Sequence, residues 1–269
     1  MDRERLKSMY EEREPLKKTI RKWFSITEDA ASHEEIRDRL LSGGKITGTN
    51  MCVMLCAIII ASVGLNTDSV AVIIGAMLIS PLMGSILAAA YGAVANDSYL
   101  VKKHVAGFVF QIAASVIAAT IYFLISPVKT ATPQLLARTN PTLFDVLIAV
   151  AGGFAGIIGQ TRQDKSNNII PGVAIATALM PPLCTCGYSI ANGQWRMLLG
   201  AAYLFTINAY FIFGSASAVL SLLGIPKVKE MTSEEWKKKK RRMIRNTLLV
   251  LLPCIAAIAA ICVSNYLAR

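Results

Sequence analysis

Residues 65–84 read Leu65-Asn-Thr-Asp-Ser-Val-Ala-Val-Ile-Ile-Gly-Ala-Met-Leu-Ile-Ser-Pro-Leu-Met-Gly84. After Asp68 the stretch carries no charge, and its apolar run is interrupted by Ser80-Pro81. A run this apolar belongs in a bilayer. Proline inside it cannot donate the i→i−4 hydrogen bond, and its ring clashes with the preceding turn. The Met77 carbonyl is therefore expected to be left free. Open backbone survives at membrane depth only beside protein or a water-filled cavity, so the stretch predicts a broken membrane helix facing the interior of a bundle.

A second stretch, Gly172-Val-Ala-Ile-Ala-Thr-Ala-Leu-Met-Pro-Pro-Leu-Cys184, matches Ala71–Met83 at an offset of 101 residues. Val72/Val173, Ile74/Ile175, Leu78/Leu179, Pro81/Pro182 and Leu82/Leu183 are identical. Each copy follows a glycine-bearing apolar segment and precedes another long one. Both halves read as span, proline-broken span, span. Three is odd, so the second copy enters the membrane upside down, an inverted repeat of the kind secondary transporters use.

Composition agrees. Of 269 residues, 54% are apolar and 17% charged, and mean hydropathy is +0.50; a soluble domain carries about 25% charged residues. Residues 51–224 hold only 7 Lys/Arg and 4 Asp/Glu, whereas residues 1–50 hold 11 and 10. A disordered chain, a nucleic-acid domain and a secreted disulfide scaffold are excluded. The net charge of +11 comes from residues flanking membrane segments, where anionic lipid is the natural partner.

Apolar runs of about 20 residues fall at 49–65, 70–94, 104–125, 144–160, 168–191, 197–223 and 246–267. With a cytoplasmic N-terminus, the inside segments hold 24 Lys/Arg and the outside segments 4, as the positive-inside rule asks. The expected architecture is an all-α polytopic bundle of about seven spans, N-in and C-out. Its parts are a cytoplasmic interfacial segment (1–48), repeat 1 (49–125), an external loop (126–143), repeat 2 (144–223), a basic cytoplasmic linker (224–245) and a last span (246–269).

The flanks read as interfacial. Leu6, Met9, Tyr10, Ile20, Trp23 and Phe24 recur near helical spacing among charges, without the apolar core of a signal peptide. Ser32-x-x-Glu35 and Thr232-x-x-Glu235 resemble capping boxes, with Gly43-Gly44 ending the first helix. Lys237, Lys238, Lys239, Lys240, Arg241 and Arg242 are expected to meet lipid phosphates rather than nucleic acid.

The predicted pathway comprises Asp68, Ser69, Ser80, Pro81, Thr177, Pro181, Pro182, Thr185 and Asn208. Asp68 has a second reading as a helix cap, which Asp145 shares. Gln111, Ser115, Thr120, Gln160 and Ser215 could also line it, or could bond helix to helix. The four acids Asp68, Asp97, Asp145 and Asp164 all fall at span ends, which speaks against a proton-coupled carrier. No GxxxxGK[ST], HExxH or Ser/His/Asp set occurs, so no enzymatic activity, ATP-driven pumping, cofactor or metal is expected. The six cysteines lie in apolar segments and read as small hydrophobes. Gly152, Gly153, Gly156 and Gly159 suggest close helix packing and a homo-oligomer.

The motif at 65–84, with Ile170-Pro-Gly-Val-Ala-Ile-Ala-Thr-Ala-Leu-Met-Pro-Pro-Leu183, resembles the core of the DUF389 family, the uncharacterised hydrophobic domain family of prokaryotic membrane proteins. The likeness covers roughly 45–225 and implies a polytopic inner-membrane protein, with no substrate or residue role attached. The residues themselves favour a transporter or channel-like facilitator for a small solute or ion. The alternative is a non-transporting scaffold, lipid-binding or sensor protein acting through its basic cytoplasmic segments.

Overall fold

The structure is a computed structural model; it describes residues 25–27, 29–163, 169–230 and 232–267, and for 169–178, 233, 236 and 253–267 the backbone alone. The predicted interfacial pattern at 1–24 lies outside the described residues. Ten helices are described: α1 (His33–Gly43), α2 (Gly48–Asn66), α3 (Val70–Leu78), α4 (Leu82–Val94), α5 (Ser98–Ile125), α6 (Pro133–Leu136), α7 (Leu143–Thr161), α8 (Ile169–Ala191), α9 (Trp195–Leu222) and α10 (Ser233–Leu267). Four of them, α2, α5, α7 and α9, are long and apolar enough to cross a membrane, and the bent pair α3–α4 makes a fifth. The fold is all-helical, as the apolar runs require, and a helix or helix pair occupies each of the seven predicted segments.

Local chemistry sets the ends. The Ser32 hydroxyl accepts from Glu35 N at 3.2 Å and opens α1, which Gly44 closes. The Thr232–Glu235 box forms in both directions, at 3.0 and 3.4 Å. Among the described residues, Asp68 and Asn96 are the positive-φ residues other than glycine. Each is followed by a residue whose N–H reaches back five positions, Ser69 to Gly64 O at 2.8 Å and Asp97 to Gly92 O at 2.9 Å. These are left-handed closures of helix C-termini, a place Asp and Asn tolerate. Asp68 is thus the C-terminal stop of α2; the start of α3 is Ser69, whose side chain makes no cap bond.

α8 is the hub, packing against α2, α3, α4, α5, α7 and α9. Because lipid tails are as apolar as the side chains, such packing rests on close backbone approach and van der Waals contact. A Cβ at Gly187 on α8 would lie 2.8 Å from Thr120 N on α5, and one at Gly153 on α7 would lie 2.8 Å from Ile212 Cα on α9. Gly152, Gly153, Gly156 and Gly159 are all buried, and at Gly153 the close approach is made to α9 of the same chain.

The two proline sites differ. At the first, α3 stops at Leu78 and α4 restarts at Leu82 with a 48° bend. The Met77 carbonyl is not free: Ser80 N–H tightens onto it at 3.3 Å. At the second, α8 runs on through Pro181 and Pro182, so the expected break is absent there. The physical difference is confinement. α3 packs mainly on α2 and α8, whereas α8 is enclosed by six helices. α8 runs antiparallel to α3–α4, and Pro81 lies 13 residues before the end of α4 while Pro182 lies 13 after the start of α8, so the two prolines stand at about the same depth.

The predicted inside and outside segments separate cleanly. At one end, Ala31 N donates to Thr161 O (2.8 Å), His33 Nε2 to Leu223 O (3.2 Å), Val228 N to Ala95 O (2.7 Å) and His104 Nδ1 to Gly44 O (3.2 Å). This end gathers the Lys/Arg-rich segments and is called the basic end below. At the other, Asn66 Nδ2 donates to Ser126 Oγ, Thr132 Oγ1 to Leu65 O and Tyr188 OH to Lys129 O, each at 2.6 Å. This is the connector end.

Replacing Gly153 by Leu should overpack the α7–α9 contact and cost about 1–3 kcal/mol. At Gly75, where an added Cβ meets nothing within 4 Å, Ala should leave stability unchanged or raise it by about 0.5–1 kcal/mol. Thermal unfolding of the detergent-solubilised chain, wild type beside each variant, measures both.

Candidate functional site

A cavity of about 280 Å³ opens between α3, the 126–143 connector, α7, α8 and α9. At its connector end lie Val70, Ile74, Gln134, Arg138, Asp145 and Ile148; deeper in are Ile73, Met77, Pro182, Leu204 and Asn208. Val70 and Ile74 are 50% and 41% exposed, whereas Asn208 is 3% exposed. Asn208 is the fourteenth of 28 residues in α9, about 20 Å along the helix from Trp195 at 1.5 Å per residue. The cavity therefore runs from the connector end to mid-helix depth.

Below it the way is shut. Met54, Leu82, Ile86, Leu179, Leu183, Phe205 and Ile212 form one buried apolar cluster. Ile212 lies a turn beyond Asn208 on α9, and Leu179 nearly a turn beyond Pro182 on α8, both toward the basic end. At the basic end a separate crevice of about 650 Å³ lies between the α1–α2 turn and α5, where Lys45, Lys103 and His104 line it. The two share no lining residue.

The connector is tied down before it reaches the cavity. The Lys129 ammonium donates to Phe123 O (2.6 Å) and Leu124 O (3.0 Å) at the end of α5, where helix carbonyls lack partners. Leu135 is fully buried and Thr132 bonds α2. Arg138 follows on the same turn, its N–H on Leu135 O at 3.2 Å. The guanidinium is half-buried, and its Nε is buried without a hydrogen-bond partner. Burial pushes its pKa below the ordinary arginine value, and Asp145 opposes that shift. Asp145 itself caps α7: its Oδ2 accepts from Thr142 N and Thr142 Oγ1, both at 2.7 Å. The cap reading of Asp145 is correct, and the same residue also lines the cavity.

Of the predicted pathway, Pro182 and Asn208 line this cavity. Pro181 is buried beside it in α8, and its carbonyl accepts from Thr185 Oγ1 at 2.9 Å. The Ser80 hydroxyl is buried without a partner at the α3–α4 break, and Pro81 caps α4. Neither lines the cavity, and neither do exposed Asp68 and half-buried Ser69. The Thr177 side chain lies outside the described residues. Other polar candidates are engaged: Ser85 donates to Gln111 at 2.8 Å, Ser115 to the Met54 sulfur at 3.5 Å, and Thr120 and Ser215 to their own helices. Sequence reasoning missed Gln134 and Arg138. The one signal at Arg138 was a cation on the side of the bundle poor in cations.

The basic run behaves as a surface. Lys237, Lys238, Lys239, Lys240, Arg241 and Arg242 are all exposed. Lys239 donates to Ala93 O at 3.0 Å, near the end of α4, and burial of its stem, with Lys227 nearby, lowers its pKa.

Residues 77–213, from the end of α3 to the middle of α9, match the family described as Domain of unknown function (DUF389). The chain belongs to the DUF389 family. The uncharacterised protein MJ0678 of Methanocaldococcus jannaschii is similar to this DUF389 chain, at 30% identity over 232 residues that cover 85% of this chain and 68% of that one. No solved structure matches. The matched region holds the break, the connector, α7, α8 and Asn208, and thus most of the cavity's lining.

Substituting Asp145 by Ala should remove both acceptor contacts of the α7 cap and cost about 0.5–2 kcal/mol. Asp145→Asn, which keeps one side-chain oxygen, should cost less. Unfolding midpoints of the two variants give the order directly.

Proposed function

We propose that this DUF389 protein is an integral inner-membrane transporter or channel-like facilitator for a small solute or ion. The observation that carries the reading is the cavity, which descends from the connector end to Pro182 and Asn208 at mid-helix and stops on an apolar cluster. A half-path open to one side and sealed toward the other is what alternating access requires of one of its states. The bend at Leu78–Leu82 supplies an element that can change angle beside that seal. Release to the basic end would require Leu82, Leu183 and Phe205 to separate.

The same reading takes the membrane part as seven spans, N-in and C-out, with an inverted 3+3 repeat. Helix lengths support it: α2 and α7 both have 19 residues, and α5 and α9 both have 28. Each triplet passes from its second to its third helix through three residues closed by a left-handed residue, Asn96 and Gly193. Exchanging the triplets turns the α8–α5 contact into α4–α9, and both contacts exist. Gathering of the basic segments at one end supports the orientation. The exposed Lys237–Arg242 run, at that same end, would rest on anionic headgroups. A homo-oligomer remains part of the proposal, its contact surface lying elsewhere than on the α7 glycines.

Two measurements test this. Green fluorescent protein joined after residue 97 or 229 should fluoresce, and alkaline phosphatase joined after residue 140 or 193 should be active; the reverse pattern would invert the orientation. In proteoliposomes, the chain should carry a selective solute or ion flux. Val70→Trp and Ile74→Trp, which put bulk into the cavity from exposed positions, should reduce that flux about tenfold or more. Val63→Trp, on an exposed face of α2 away from the lining, should leave it unchanged. Flux indifferent to Val70→Trp and Ile74→Trp would remove the pathway from this cavity.

A further inference from the structure

Among the described lining residues, the cavity holds one cation and one acid, and they stand differently. Arg138 and Asp145 form no ion pair; the ion pairs of the described residues are Arg39–Glu35 and Arg162–Asp29. Asp145 has an assigned task, since one of its oxygens takes both donors of Thr142 at the start of α7. Arg138 has none: its Nε is buried in the wall with no acceptor. A buried donor without a partner is a costly arrangement, and more so when the group is charged. Ordered water or a bound solute is the usual source of such a missing acceptor.

The identity of the unpartnered atom narrows the ligand. Nε and the adjacent Nη form one edge of the planar guanidinium, two parallel donors that match two oxygens carried on a single atom. A lone spherical anion engages that edge less well than a carboxylate does. Space limits the ligand as well: about 280 Å³ is the share of roughly nine waters at ~30 Å³ each, room for a small solute only. Gln134 beside Arg138 and Asn208 below it offer neutral carboxamides to the remainder of such a solute. The apolar wall of Val70, Ile73 and Ile74 would hold a short hydrocarbon part.

We infer that the solute received by this cavity is a small carboxylate, or an oxyanion with the same pair of oxygens, held side-on by Arg138. The inference rests on the cavity being the solute entry, and it names what enters.

The test uses the full chain purified in detergent, with acetate, lactate and glycine as probes at constant ionic strength. Chloride and methylammonium are the controls. Carboxylates should raise the unfolding midpoint of the wild type saturably, while the controls leave it in place. Arg138→Lys, which keeps the charge but loses the two-donor edge, should weaken the apparent Kd at least tenfold. Arg138→Gln should abolish the shift without lowering the unliganded midpoint. If Arg138→Gln fails to fold, Arg138→Lys still decides between fork and charge. Equal carboxylate binding by the wild type and both variants overturns the assignment to Arg138. Binding or flux of cations or neutral solutes alone, blocked by Val70→Trp, would overturn the carboxylate class while the entry reading stands. Carboxylate flux untouched by Val70→Trp would remove the cavity, and the inference with it.

Discussion

In hydrocarbon every backbone N–H and C=O must find its partner within the protein, and the rest of this molecule is arranged around that requirement. Proline is where the requirement bites, because each one removes a donor and frees a carbonyl four residues back. At Pro81 the chain answers by tightening: Ser80 N–H takes the Met77 carbonyl, the helix stops, and α4 starts again at an angle of 48°. At Pro181 and Pro182 it answers by confinement, because α8 is enclosed by six helices and stays continuous. The Thr185 hydroxyl, bonded to the Pro181 carbonyl, is part of the same economy. Helix ends obey it too, through the left-handed closures at Asp68, Asn96 and Gly193 and through Lys129 on the last carbonyls of α5.

A cavity between these helices follows from the same geometry. The bent α3 keeps one side against α2 and α8 and leaves Val70, Ile74 and Leu78 exposed. A straight helix packed along its full length against α8 would close the space above Pro182. The connector then crosses above that space. Thr132, Leu135 and Lys129 fix its course, so Arg138 is brought to the rim by residues that do not line the cavity. The site is thereby assembled from a kink, an anchored loop and the middle of two long helices.

The resemblance of the two halves is clearer in their dimensions than in their prolines. Matching 19- and 28-residue helices, and three-residue links with the same closure, recur in both triplets. The two prolines stand at about the same depth, yet one breaks its helix while the other does not. Two copies so related would hold one stiff and one jointed element against each other at mid-depth. Such asymmetry suits a protein that moves between states better than one built only to stay rigid.

Much of this was legible in the residues. Uncharged runs of about 20 residues fixed the helical class, because a single segment of that length meets its own backbone needs in lipid as a helix. The skew of lysine and arginine predicted which segments share an end, and Ala31–Thr161, Val228–Ala95 and Asn66–Ser126 bear out that sorting. The helix caps at Ser32, Asp145 and Thr232 were readable because a cap is a contact over three residues. What only the tertiary structure decided is whatever depends on neighbours far along the chain. The enclosure of Pro182 cancelled a break that its own residue type favours. Gly153 of α7 met α9 of the same chain. Arg138 acquired its place from a loop anchored elsewhere. Local rules give each residue its preference, and the packing of six helices around one chose which preferences prevail.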